Sequence, residues 1–249
     1  MRRLGFLWIL LGVVSGAGAQ SVSELLARAD GLRAEGRFAQ VLPLLEQAQR
    51  LEPRNAEVLW RLARAKVDLG EQAPDRSTQK RLYTEALEHA RAAVAADERN
   101  ANAYKYVAIA AGRVGLISDT RTKVELSRQV KENIERALVL NPADDDAYHV
   151  LGRWHHEVAS LGFVARTIVR LVYGGLPEAS YEKAVENFQR ALRIRDAIRH
   201  RVELARSLIA LGRKSEARAV LEQALSMQAA DVKDQDYRAQ ARELLKKVD

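Results

Sequence analysis

The chain has no cysteine among its 249 residues. Disulfides, thiolate zinc sites and cysteine nucleophiles are therefore excluded, and redox compartment cannot be read from cysteine usage. Proline and glycine are scarce too, at 5 and 14, which leaves room for long helices because these residues end or weaken them. Long apolar runs are missing: the longest, Leu4 to Val14, falls short of the roughly 20 residues a bilayer-spanning helix needs. There is no Lys/Arg block either. The formal net charge of +7 is spread over 40 basic and 33 acidic side chains, the pattern of solvated helix faces, so nucleic acid is not expected as a partner. A glycine-rich phosphate loop and a Gly-x-Ser-x-Gly elbow are also absent, so neither catalysis nor a cofactor is expected. What is present is 47% hydrophobic residues, enough to bury a core.

The first nineteen residues read as a targeting segment. Arg2 and Arg3 form a basic start, Leu4 to Val14 an apolar run, and Ala17-Gly18-Ala19 a cleavage site of small residues. The expectation is an exported, periplasmic protein cleaved after Ala19, with an uncleaved membrane anchor as the alternative. Residues 20–249 are then expected to form a single helical-repeat domain with an insert at 160–179.

An internal period carries the fold assignment. In "RVELARSLIALGRKSEARAVLEQAL", Arg201 to Leu225, small residues at Ala205 and Ala217 let two helices approach, while Leu204, Leu208 and Leu221 fill the seam. This is the tetratricopeptide phase: a small residue, another twelve later, then positions four and seven beyond that. It recurs at Ala29 with Val41, Leu45 and Ala48; at Ala63 with Ala86, Ala90 and Ala93; at Ala108 with Val130, Ile134 and Ala137; and at Gly152 with Ala184, Phe188 and Ala191. Three of these units exceed the usual spacing, with "EQAPDRSTQ" and "GLISDTRT" as expected polar breaks. Gly36, Gly70 and Gly212 are expected at turns, and Pro53 and Pro142 just past helix ends. A last helix over Asp234 to Val248 would cap the array. The expected fold is all-α: a tetratricopeptide-like superhelix of about five helix pairs plus a C-terminal capping helix.

The stretch from Arg153 to Ala184 interrupts this regularity. Its two adjacent histidines, His155 and His156, point about 100° apart on a helix and lack the His-Glu-x-x-His spacing of a zinc site. His155 is expected to be packed and His156 to lie at the surface, with no metal. Between Gly162 and Gly174-Gly175 lies "FVARTIVRLVY", a short helix of apolar residues with Arg166 and Arg170 one turn apart. So apolar a helix is expected to bury most of its surface, either as a plug or lid in the solenoid groove or against a membrane surface or lipid, with the arginines meeting phosphate oxygens.

The same segment carries a family resemblance. Gly152-Arg153-Trp154, the apolar arginine-bearing insert, then Pro177 and the run Ser180, Tyr181, Glu182, Lys183 and Ala184 resemble the regulator of microtubule dynamics family. The Asn141-Pro142 turn before that helix matches as well. The likeness is strongest from about Asn133 to Leu225 and extends more weakly back to Ala56. It implies a non-enzymatic helical-repeat domain. Animal members are linked to microtubules and the spindle, and one membrane-anchored member to lipid binding. The N-terminus departs from theirs, and an exported bacterial-looking protein would not meet tubulin.

Two further motifs invite chemistry and have simpler explanations. Asp144 to Asp146 precede a helix, where N-capping and dipole compensation account for them. Tyr181 and Lys183 are two apart on a helix and face different ways, with Ser180 as the cap before them. The leading expectation is a scaffold that holds a partner protein or peptide in its concave groove, lined by Tyr104, Tyr148, Arg153, His156, Phe163, Arg166, Arg170 and Tyr173. A lipid or fatty-acyl carrier with the insert as lid is the alternative, and microtubule association the second.

Overall fold

The computed structural model describes residues 20–230 and 232–248; the expected signal segment, 1–19, lies outside the described residues. Among the described residues the chain forms twelve helices and no strand. Five pairs follow one another: α1 (Val22–Ala34) with α2 (Phe38–Leu51), α3 (Ala56–Glu71) with α4 (Arg76–Ala96), α5 (Ala101–Leu116) with α6 (Thr120–Leu140), α7 (Asp145–Ala159) with α9 (Tyr181–Ile194), and α10 (Ile198–Ala210) with α11 (Lys214–Ser226). The insert α8 (Phe163–Tyr173) lies between α7 and α9 in sequence, and α12 (Asp234–Leu245) closes the array against α10 and α11.

The repeat phase explains the packing residue by residue. The small positions Ala29, Ala63, Ala108, Gly152 and Ala205 are all buried, as are Val41, Ala86, Val130, Ala184 and Ala217 on the facing helices. The larger positions Leu45, Ile134, Phe188 and Leu221 are wholly enclosed. Each such side chain contributes about 1.5–3 kcal/mol on leaving water. At Gly152 the approach is so close that a Cβ would fall 2.8 Å from the Phe188 ring. Side chains of Ser21, Asn55, Asp75, Asn100, Asp119, Asp144 and Ser180 cap the helices that follow them, satisfying first-turn N–H groups that have no helical partner.

The extra residues of the longer units go into helix rather than loop. α4 and α6 each run 21 residues against 14 for α2, so only residues 72–75 and 117–119 break the helices. Gly36 and Gly212 sit at turns with φ of +75°, a conformation that favours glycine. Gly70 does not mark a turn: it is buried inside α3, in direct contact range of the Tyr83 ring.

Consecutive first helices touch, α3 on α5, α5 on α7, α7 on α10 and α10 on α12, whereas no two second helices among the described residues pair comparably. First helices that crowd together must line the inner curve, which places α2, α4, α6, α9 and α11 outside.

The insert departs from expectation. α8 is helical from Phe163 to Tyr173, as the sequence predicts, and ends at Gly174 in the left-handed region. It does not enter the groove. It rests on α6, an outer helix, and Val169 is its one buried residue. Phe163 is 84% exposed and Leu171 75%, with Val164, Ile168 and Val172 beside them. The attachment is made through backbone: Arg128 of α6 donates to the carbonyls of Tyr173 and Gly175, and Arg166 donates to those of Leu161 and Ala159. Neither the plug nor the groove lid is therefore realised, because α8 is held by its ends and by one narrow face.

Candidate functional site: the inner face of the superhelix

The inner face is built by side chains at fixed offsets from each buried small residue. One residue past Ala29 and Ala63 stand Asp30 and Arg64; five past Ala63 stands Asp68. Asp30 of α1 accepts from Arg61 (3.0 Å) and Arg64 of α3. Arg33 of α1 donates through Nε to Asp68 at 2.6 Å. Asp68 is only 3% exposed, and a buried carboxylate is tolerated only when paired. Burial works to raise its pKa, but Arg33 and then Lys233 hold it below the usual carboxylate range. Burial likewise opposes the charge on Arg33, and Asp68 more than offsets that, raising its pKa.

Against Arg61 and Arg64 lies an aromatic pair whose indole is itself buried. Trp60 of α3 stacks on Tyr106 of α5, centroids 5.5 Å apart and planes 13° from parallel. The guanidinium carbons of Arg61 and Arg64 lie 4.2 and 4.9 Å from the Trp60 centroid, within cation–π range. Burial pushes the Tyr106 phenol up.

The row continues through Glu71, at the end of α3, which pairs with Arg113 of α5 and with Lys233 (2.7 Å). Farther along, His156 of α7 meets Ser207 of α10 through Nδ1 at 2.9 Å and stacks edge-on against Tyr181. His149 and His200 meet across the same seam.

The sequence-derived candidates divide into three places. Arg153 and His156 belong to the inner face, where Arg153 acts electrostatically on His149, His156 and Tyr237. His156 is half-buried rather than a surface residue. Tyr104 and Tyr148 face their own second helices, against Arg136 of α6 (5.9 Å) and Arg190 of α9 (5.7 Å). Phe163, Arg166, Arg170 and Tyr173 are all on α8, outside. The structure does not bring the eight together. His155 is buried as expected; burial, then Lys131 nearby, lowers its pKa to about 4.

The acidic triplet is matched by cations rather than left open. Asp144 caps α7 and pairs with Lys105 at 2.6 Å. Asp145 accepts from Arg199 and His200, and Asp146 pairs with Arg199 at 2.9 Å. Asp30, Arg33, Asp68 and Glu71 escaped the sequence reading although their offsets from Ala29 and Ala63 place them inward. Lys233 had no local signal: it lies 165 residues from Asp68 in the chain.

The family model described as "Regulator of microtubule dynamics protein 1-3" matches residues 25–249. The chain belongs to that family. Among its relatives, regulator of microtubule dynamics protein 1 of Bos taurus is 34% identical over 171 residues, 68% of this chain and 53% of that protein. Regulator of microtubule dynamics protein 3 of Xenopus laevis is 35% identical over 135 residues, 54% of this chain and 29% of its own length. The chain thus spans about half the length of the first of these relatives. The crystal structure of TTC0263, a thermophilic TPR protein of Thermus thermophilus, matches 90% of this chain and 99% of its own with a TM-score of 0.69 at 24% identity. That likeness shows the helical-repeat fold. In this family member the inner face of that fold carries the row of charges described above.

Proposed function

We propose that this family member is a non-enzymatic interaction protein that holds a partner protein or peptide against the inner face of its superhelix. The observation that supports this reading is the lining itself: paired charges and a Trp60–Tyr106 platform, rather than the continuous apolar wall an acyl chain needs. Such a lining offers polar groups to a peptide backbone and charged side chains. On the export reading of residues 1–19 the partner is itself exported. Affinity capture from periplasmic extract tests it. The wild-type chain enriches a partner that R153E and R64E together lose, and equal enrichment by that double variant argues against the inner face.

A second reading rests on α8. Its exposed apolar face, Phe163, Val164, Ile168, Leu171 and Val172, has the form of a helix that lies in a membrane interface, and Arg170 beside it is exposed. Flotation with anionic vesicles, lost in F163S/L171S, supports that contact. The microtubule role in the relatives' names extends to this chain as a third reading, tested by co-sedimentation with microtubules.

A further inference from the structure

The contact that ties the two ends of the superhelix together has the form of a bound ligand. Lys233, just before α12, reaches across to α3, where its Nζ donates to Asp68 at 3.0 Å and Glu71 at 2.7 Å. Two carboxylates three residues apart on one helix thus converge on one ammonium. Arg33 donates to both oxygens of Asp68, and Arg113 to the Glu71 oxygen that Lys233 leaves. The lysine also lies 5.7 Å from the Phe38 ring centroid. The preceding residue, Val232, is 55% exposed but lies against Gly36, where a Cβ would fall 2.8 Å from Val232 Cγ1.

The rest of the C-terminal cap does not depend on this contact. α12 packs on α10 and α11, Arg238 donates to the carbonyls of Met227 and Leu225, and the Asp234 carboxylate accepts from the Ala230 amide at 2.7 Å. Helix and connection are anchored at their own end of the array. Val232 and Lys233 add a clasp onto the other end, made by one aliphatic and one cationic side chain.

We propose that Val232–Lys233 is an internal ligand of the inner face, filling the place where a partner segment carrying an aliphatic residue followed by lysine docks. This rests on the inner-face reading above and names the partner chemistry for it. A compact ammonium with three donors suits two converging carboxylates better than the planar fork of arginine, which already pairs with each of them singly. The clasp is intramolecular, so its effective concentration is in the millimolar range and a free partner must compete with it. Binding therefore opens the ring that Lys233 closes.

The test uses the chain from Gln20 to Asp249 and a fluorescein-labelled peptide of its own sequence, AADVKDQ, added in trans and followed by polarisation at low salt. K233Q binds the peptide at least about five-fold more tightly than wild type, a gain that misfolding cannot produce. E71Q in the K233Q background loses that gain, and so does a peptide with glutamine in place of its lysine. Equal binding by wild type and K233Q, or equal binding of the lysine and glutamine peptides, overturns the proposal. A partner captured by the inner face whose affinity neither K233Q nor E71Q alters removes the internal-ligand proposal alone. Capture indifferent to R153E/R64E removes both.

Discussion

The Nδ1 atoms of His149 and His200 lie 2.9 Å apart across the seam between α7 and α10, and His200 Nε2 lies 2.9 Å from Asp145. If His200 donates through Nε2 to the carboxylate, its Nδ1 is left to accept from His149, so the pair is satisfied in neutral form. Burial lowers the pKa of both rings; for His149 the neighbouring His200 adds to this, whereas for His200 the Asp145 hydrogen bond opposes it without cancelling it. His155 is held at about 4 for the same primary reason.

These depressed histidines make stability depend on pH with a definite sign. The unfolded chain takes up protons near the ordinary histidine pKa of about 6.5 while the folded chain does not. Stability is thus full above about 6.5 and falls as pH drops from there toward about 4. Thermal melts between pH 7.5 and 4.5 should show this decline, and H155Q should flatten it. The loss is on the order of 2 kcal/mol for a histidine with so low a folded pKa. Asp145, also held low in the fold by His200 and Arg195 against its burial, contributes only at still lower pH.

Two glycines predict opposite outcomes for the same substitution. G152A places a methyl against Phe188 and should cost about 1–3 kcal/mol. G31A adds a methyl in α1 with no heavy atom within 4 Å and should gain about 0.5–1 kcal/mol from helix propensity. Urea denaturation of the two variants checks both signs.

Lys105 and Asp144 form an ion pair in which both side chains are less than 10% exposed. K105M leaves the carboxylate with only its capping bond to Ala147. Removing one member of a buried pair costs about 3–5 kcal/mol, and the same denaturation assay should place K105M near the lower end of that range because the cap remains.

The insert should be separable from the core. F163S/L171S removes apolar surface already in water and should change stability by less than about 0.5 kcal/mol. R128A removes the hydrogen bonds that hold the end of α8 to α6, so amide exchange over residues 163–175 should quicken while that of α5 and α6 stays slow.

The repeats were legible because burial is periodic: every small position from Ala29 to Ala205 fell where its spacing predicted. The limits of α8 were legible from Gly162 and Gly174, but its placement was not. Composition indicates that an apolar helix prefers burial; whether the chain provides a surface for it depends on tertiary contacts such as Arg128 with Tyr173. Tyr104 and Tyr148 were misplaced for a similar reason, since aromatics favour interfaces in general while helix phase turned these two toward α6 and α9. Lys233 was beyond any local pattern, because only the curvature of the whole superhelix brings it to Asp68.

Site-specific photo-crosslinking locates the surface that meets the partner. p-Benzoylphenylalanine is placed singly at Arg153 and at Glu157, the exposed residue one turn beyond it on the same face of α7, at Val139 on the outer helix α6 and at Phe163 on α8, and crosslinked products are identified by mass spectrometry. Binding at the inner face predicts the same protein joined from Arg153 and Glu157 and not from the other two. Products formed only from Phe163 or Val139 would contradict it.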